Sequence, residues 1–296
     1  MKGAATALAA APHRIGDFLT LTKPRLNSLV VVTAGVGYYL GAAGSPDLAV
    51  ALHLLLGSAL VAGGAAAFNQ VAERDIDEVM QRTRLRPLAT GRINPTEGRL
   101  FASALSVAGL VELALRVNAL AAAVALATLI SYAAIYTPLK RRTPWATLVG
   151  AVPGALPPVI GWTAAREALT VEAWILFGIV FFWQLPHFHA LSWLYRDDFG
   201  RAGLPLVATR DPDGRRTALQ SLLATAALVP LSLAPVVVGM AGAHHVAAAG
   251  LLGVCFLALA VRFVARRSET RARALFLGSL AYLPLFWISL IAGSSL

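Results

Sequence analysis

The sequence predicts an all-α membrane protein of nine transmembrane helices, two parallel four-helix repeats plus one C-terminal helix, with the N-terminus in the cytoplasm. Three observations carry that expectation. The 296 residues are 57% hydrophobic and only 14% charged, where a soluble domain of this length carries about 25% charged residues. Apolar runs alternate with short basic clusters, and helices are the default spanning structure because hydrocarbon offers the backbone no hydrogen-bond partner. The basic residues also fall almost entirely on one side.

The runs are Leu26–Ala43, Leu48–Asn69, Leu100–Leu115, Leu120–Tyr136, Ala146–Trp162, Val171–Leu194, Thr217–Met240, Val246–Val264 and Ala274–Ile291. A crossing needs about 20 residues, so the third and fourth runs are short and their ends open. Residues 1–20 read as a mobile tail, because ATALAAAP is too short and too weak for a signal peptide. Residues 21–296 read as a single domain: repeat one over 21–140, repeat two over 141–265, and an extra helix over 274–291.

Orientation follows from charge. The N-terminal segment and the 2–3, 4–5, 6–7 and 8–9 loops hold 23 of the 25 Lys and Arg, leaving only Arg116 and Arg166 on the other side. The positive-inside rule places the basic side in the cytoplasm. The net charge of +10 is therefore a topology signal and calls for no nucleic-acid partner. The single cysteine, Cys255, excludes an intramolecular disulfide and a cysteine metal cluster, and reads as packing.

The duplication rests on two echoes. Thr22-Lys-Pro24 opens the first run and Thr143-Pro144 the fifth; Pro87-Leu-Ala-Thr-Gly-Arg92 follows the second and Pro205-Leu-Val-Ala-Thr-Arg210 the sixth. Both offsets are close to 120 residues and span four runs. An even number of crossings gives the two halves the same orientation.

The chemistry concentrates after the second and sixth runs. Asn69, Glu73 and Asp77 stand at i, i+4 and i+8, which drifts by only about 80° on a helix and so shares one face. Oxygen-bearing side chains at a membrane boundary suit Mg²⁺, which commonly bridges carboxylates to substrate phosphates. Arg82 and Arg86 follow, with guanidinium forks that match phosphate oxygens. In the second segment, His187 and Asp198 are eleven residues apart. On a continuous helix that places His187 in nearly the same direction as Asp198, about 16 Å deeper. Gln184 shares that face and His189 points the opposite way. From spacing alone, His187 is a haem ligand, a proton carrier or a packed core residue. His244 and His245 read as surface residues of the 7–8 loop, and Glu112 with Arg116 as an i, i+4 ion pair.

Asn69-Gln-x-x-Glu73-x-x-x-Asp77-x-x-Met80-x-Arg82-Thr83-x-x-Arg86-Pro87-Leu88 resembles the first acidic motif of the UbiA-type prenyltransferases in its haem O synthase form. Tyr136-Thr-Pro-Leu-Lys140-Arg is similar to the next cytoplasmic loop of that family. Trp183-Gln-Leu-Pro-His187-Phe, followed by Trp193-x-Tyr195-Arg-Asp197-Asp198-Phe-x-x-Ala202-Gly203-x-Pro205, resembles the segment that separates haem O synthases from quinone-pathway relatives. The likeness runs from about Leu21 to the C-terminus and departs at His189, where the family pattern is apolar.

The resemblance implies transfer of a farnesyl group from farnesyl diphosphate to a vinyl group of haem b, with addition of water. It implies that Asn69, Glu73, Asp77 and Asp198, with Asp197 alongside, hold Mg²⁺ against the diphosphate, and that Arg82, Arg86 and Lys140 bind its oxygens. It implies that His187 faces the haem and that Lys23 and Arg25 are candidates for its propionates. It further implies a bacterial inner-membrane location with a cytoplasmic site, and a haem A synthase or oxidase assembly factor as the partner receiving the product. Three competing readings make distinct expectations. A non-catalytic haem-handling assembly protein accounts for His187 but leaves Asn69, Glu73 and Asp77 without a role. A quinone-precursor prenyltransferase gives His187 no iron to bind. An ion-coupled transporter places its acids near the bilayer midplane, whereas these sit at one end.

Overall fold

The computed structural model describes residues 14–293, and every regular element among them is helical. Residues 14–21 form α1. They are no tail: Leu21 is fully buried and Phe18 packs on Phe101 at 5.0 Å. Asp17 accepts from Arg92 Nε at 3.0 Å. The expected tail is thus corrected over 14–20, and residues 1–13 lie outside the described residues.

Helix α2 (Pro24–Gly41) starts at Lys23, which adopts a left-handed conformation with φ 47. Pro24 then fixes the first helical φ. Helix α3 (Leu48–Ala72) starts at Asp47, whose carboxylate accepts from Ala49 N and Val50 N at 2.7 and 3.2 Å. Glu73 interrupts the helix and a short α4 (Arg74–Val79) follows. Helix α5 (Pro95–Arg116) starts five residues before its apolar run, because Asn94 and Glu97 form a capping box around Pro95. The fourth run becomes α6 (Ala119–Ile130), a π-helical stretch Ser131–Tyr136 and α7 (Thr137–Leu139). Pro138 lacks the N–H that an α-helical turn needs, and the wide turns sit immediately before it. The fifth run splits at Leu156, ahead of Pro157, into α8 (Ala146–Ala155) and α9 (Pro157–Arg166).

Helix α10 (Val171–Leu194) ends at Tyr195 and is followed by α11 (Arg196–Arg201), then by a 3₁₀ turn at Val207–Arg210. The chain closes with α12 (Arg215–Leu231), α13 (Ala234–Val237), α14 (Ala243–Ala265) and α15 (Glu269–Ala292). Eight stretches among the described residues are long and apolar enough to cross a membrane. They correspond to the second through ninth runs. The first run is α2, 18 residues long, with Arg25, Asn27 and Ser28 in its opening turns; it falls outside that set.

Helix α3 packs on α5, α10 on α12 and α15, and α14 on α12 and α15. Helices α2 and α9 also cross closely. A Cβ on Gly161 would stand 1.8 Å from the Ala34 carbonyl oxygen, so only glycine permits this approach. The main apolar core spreads from Val36 and Tyr38 through Trp162 and Ile179 to Tyr282 and Phe286. A smaller one, Ile76 and Met80 against Phe199, Leu204 and Leu206, docks α4 onto α11.

Three further expectations are corrected. His245 is fully buried, with Nδ1 3.0 Å from Ser289 Oγ and Nε2 3.2 Å from the Ser232 carbonyl, because α14 begins before it rather than after it. Glu112 pairs across helices with His53 Nδ1 at 2.6 Å instead of with Arg116. Cys255 is exposed on the outer side of α14 rather than packed inside.

Candidate functional site

The C-terminal end of α3 and the start of α4 carry Asn69, Glu73 and Asp77. Glu73 has non-helical angles, yet Glu73 N bonds to Asn69 O at 2.9 Å and Asp77 N to Glu73 O at 2.8 Å. Helical spacing therefore survives the break. All three side chains are buried, at 3%, 4% and 3% exposure. Burying a carboxylate is costly unless it is paired, and each group here meets its own cation from a different segment. Lys23 Nζ donates to Asn69 Oδ1 at 2.9 Å. Lys140 Nζ donates to Glu73 at 3.1 Å. Arg86 Nη1 lies 2.8 Å from both oxygens of Asp77.

Local structure aims these cations. The left-handed turn at Lys23, between α1 and α2, carries its ammonium to Asn69. Burial, with repulsion from Arg86 and Lys140, outweighs attraction by Glu73 and Asp77 and lowers the Lys23 pKa to about 7. Thr137 Oγ1 donates to the Tyr132 carbonyl at 2.9 Å and accepts from Asn69 Nδ2 at 3.3 Å, which turns Asn69 Oδ1 toward Lys23. The π-helical stretch brings the Tyr132 and Tyr136 rings to 5.4 Å, within electrostatic reach of Glu73. Arg25 is exposed.

The second segment touches the first. Asp198 is 7% exposed, and its Oδ1 accepts from Gln81 N at 2.9 Å and from Arg201 Nη2 at 2.5 Å. Burial raises its pKa, but the hydrogen bonds from Gln81 and Arg201 prevail and hold it below the ordinary carboxylate range. The Arg82 guanidinium lies 5.2 Å from the Tyr195 ring centre and forms no ion pair among the described residues. Asp197 is exposed, 3.9 Å from Arg196 Nε.

Helix α10 does not continue to Asp198, because Tyr195 breaks it. The straight-helix stacking of His187 under Asp198 is therefore corrected. His187 instead packs against α15, with its ring 4.8 Å from Phe276 and stacked on Trp183 at 5.4 Å. Its Nδ1 is 2.8 Å from Ser279 Oγ, and Ser279 Oγ donates its single proton to the Phe276 carbonyl at 2.5 Å. Ser279 can only accept from His187. The imidazole consequently carries its proton on Nδ1 and keeps the Nε2 lone pair free. Nothing in the ninth apolar run marks Ser279 as part of this arrangement. Gln184 ties α10 to α8 by donating to the Ala151 carbonyl at 2.8 Å, and His189 is buried on the side facing α8 and α12.

The residues present fit Mg²⁺. Among the described residues no three His, Cys, Asp or Glu side chains converge on one point, so the chain offers no closed cage. Mg²⁺ is usually held by one or two carboxylates together with substrate phosphates, and Glu73, Asp77 and the Asn69 amide oxygen are a donor set of that kind. Asp198 is paired in the same way, with Gln81 N and Arg201, as Glu73 is with Lys140 and Asp77 with Arg86.

Comparison with known proteins identifies the family and the fold. The sequence model of the UbiA prenyltransferase family matches residues 30–290. The chain is 45% identical over 280 residues to a protoheme IX farnesyltransferase of Solibacter usitatus, covering 92% of this chain and 96% of that one. It is 45% identical over 273 residues to a protoheme IX farnesyltransferase of Myxococcus xanthus, covering 92% of each. A digeranylgeranylglyceryl phosphate synthase structure superposes with a TM-score of 0.81 at 15% identity, over 95% of this chain and 98% of that one. A UbiA homologue from Archaeoglobus fulgidus bound to GPP and Mg²⁺ superposes with a TM-score of 0.66 at 17% identity, over 93% and 99%.

Proposed function

The chain belongs to the UbiA prenyltransferase family and to its protohaem IX farnesyltransferase branch, and on that premise we propose that it transfers farnesyl from farnesyl diphosphate to a vinyl group of haem b, with addition of water, giving haem O and diphosphate. One observation carries the assignment of roles. Three buried oxygen-bearing side chains at one end of the bundle each face a Lys or Arg drawn from a separate segment.

Lys23, Lys140, Arg86 and Arg82 bind the diphosphate oxygens. This moves Lys23 from the propionates, its expected partner, to the diphosphate, because its ammonium lies against Asn69. Asn69, Glu73 and Asp77 hold Mg²⁺, with Asp198 bracing the adjoining loop and Asp197 exposed beside it. When bound, Mg²⁺ neutralises charge on the phosphate oxygens. As the allylic C–O bond breaks, its electron pair leaves on the diphosphate, where the cations stabilise it. The farnesyl carbocation is met by the π faces of Tyr132 and Tyr136. The haem vinyl group attacks it, and the new cation beside the ring takes up water and loses a proton. His187 holds the haem iron through Nε2, and the exposed Arg25 is the cation left for the propionates.

We read the bundle as nine spans, counting α2, in two parallel repeats. Both α3 and α10 end in one non-helical residue followed by a six-residue helix, which supports the repeat. The acidic end faces the cytoplasm of a bacterial inner membrane, and the product passes to a haem A synthase or oxidase assembly factor.

The test is direct. Purified protein incubated with haem b, farnesyl diphosphate and Mg²⁺ yields a hydroxyethylfarnesyl haem by mass spectrometry. Absence of that product, together with prenylation of a phenolic acid, overturns the proposal.

A further inference from the structure

The end of the bundle opposite the acidic site holds a cavity of about 200 Å³ between the end of α9, the start of α10 and the segment after α13. We propose that it binds the headgroup of an ethanolamine phospholipid, a primary ammonium joined to a phosphate diester.

The cavity is lined by Trp162, Arg166, Thr170, Glu172, Val238 and Met240, among others. Arg166 and Glu172 carry opposite charges there, yet neither forms an ion pair among the described residues. The Arg166 guanidinium lies over the Trp162 ring at 5.7 Å from its centre. Glu172 accepts a hydrogen bond from Thr170 Oγ1 and has no cation. Two opposite charges that share a cavity without meeting leave room for a ligand carrying both. Trp162, 3% exposed, forms the wall beneath that guanidinium, and a phosphate seated in the cavity is held by Arg166.

Position selects a lipid over a soluble zwitterion. Helix α10 is 24 residues long, so Glu172 in its first turn stands about 33 Å along the axis from the far end. That is the depth of a hydrocarbon core, which puts the cavity at the opposite membrane boundary. Val237 beside it is 86% exposed, an apolar path for acyl chains. The charges select the headgroup. A primary ammonium donates hydrogen bonds to Glu172, a quaternary one cannot, and a glycerol headgroup leaves Glu172 unpaired beside a phosphate.

The experiment is native mass spectrometry of the full chain, exchanged into detergent with matched phosphatidylethanolamine, phosphatidylcholine or phosphatidylglycerol. Phosphatidylethanolamine is expected to be retained about tenfold over the other two. Arg166→Gln and Glu172→Gln should each bring retention down to the level of the others, while the lipid-free unfolding temperature stays unchanged as a check on folding. Equal retention of the three lipids, unchanged retention in both folded variants, or displacement by equimolar free phosphoethanolamine each overturns the proposal. None of these outcomes depends on farnesyl transfer.

Discussion

Single atoms decide what several residues at the site do. Ser279 spends its proton on the Phe276 carbonyl, which leaves His187 protonated on Nδ1. Ser279→Ala removes the acceptor while the backbone bond from Trp183 Nε1 to Ser279 O at 2.8 Å remains. Loss of such an orienting partner typically costs about 10–100-fold in metal affinity. Haem titration followed by absorbance should show that weakening, and unchanged affinity alongside a large effect of His187→Ala would remove Ser279 from the account. Asp211 illustrates the same economy away from the site. It is buried and accepts from Thr217 N at 2.7 Å and Thr217 Oγ1 at 2.8 Å. Burial raises its pKa, but the Thr217 bonds prevail and lower it. A carboxylate with a folded pKa below its unfolded one stabilises the fold above the unfolded value, and that contribution is lost as pH falls through the folded value. Asp211→Ala should therefore cost about 1–2 kcal/mol near neutral pH, and thermal unfolding in detergent should show the gap to wild type closing in acid.

At the scale of elements, breaks in helices build the site. The interruption at Glu73 and the π-helical stretch before Pro138 each keep side chains of neighbouring turns on one wall. Periodicity exposed the first of these, because Asn69, Glu73 and Asp77 remain at helical spacing through the break. It failed at Tyr195, where an uninterrupted helix was the natural expectation for a polar run and the chain turns instead to dock Phe199 on Ile76 and Met80. Close crossings were also invisible, since a glycine that admits a neighbouring backbone reads like any other in an apolar run. Gly161 is the sharpest case. Gly161→Ala puts a methyl 1.8 Å from the Ala34 carbonyl oxygen, and overpacking of this kind costs about 1–3 kcal/mol or more. A folding yield and unfolding temperature equal to wild type would contradict that close crossing.

For the whole molecule, hydropathy marks every long helix among the described residues, and helical spacing groups Asn69, Glu73 and Asp77 on one face. What sequence left open is long-range pairing. Lys23 with Asn69, Lys140 with Glu73 and His53 with Glu112 each join residues from distant segments of the chain, and local spacing carries no record of such partners. Orientation remains a matter of charge, and it is testable. In a Cys255→Ala background, Ser45→Cys between α2 and α3 should react with an impermeant thiol reagent from outside intact cells. Arg84→Cys, on the acidic side, should react only after permeabilisation; the opposite pattern inverts the topology.

The paired cations bear on turnover as well as on binding. On the proposed roles, three of the four cations that grip the leaving diphosphate, Lys23, Lys140 and Arg86, already own a polar partner to which they can return, while Arg82 returns to the face of the Tyr195 ring. Entry of diphosphate is then an exchange of partners rather than the filling of a bare positive trap. Its departure lets Lys140 close again on Glu73, Arg86 on Asp77 and Lys23 on Asn69. A site built this way resists poisoning by its own by-product, because each discharge resets the catalyst to a neutralised, self-satisfied resting state.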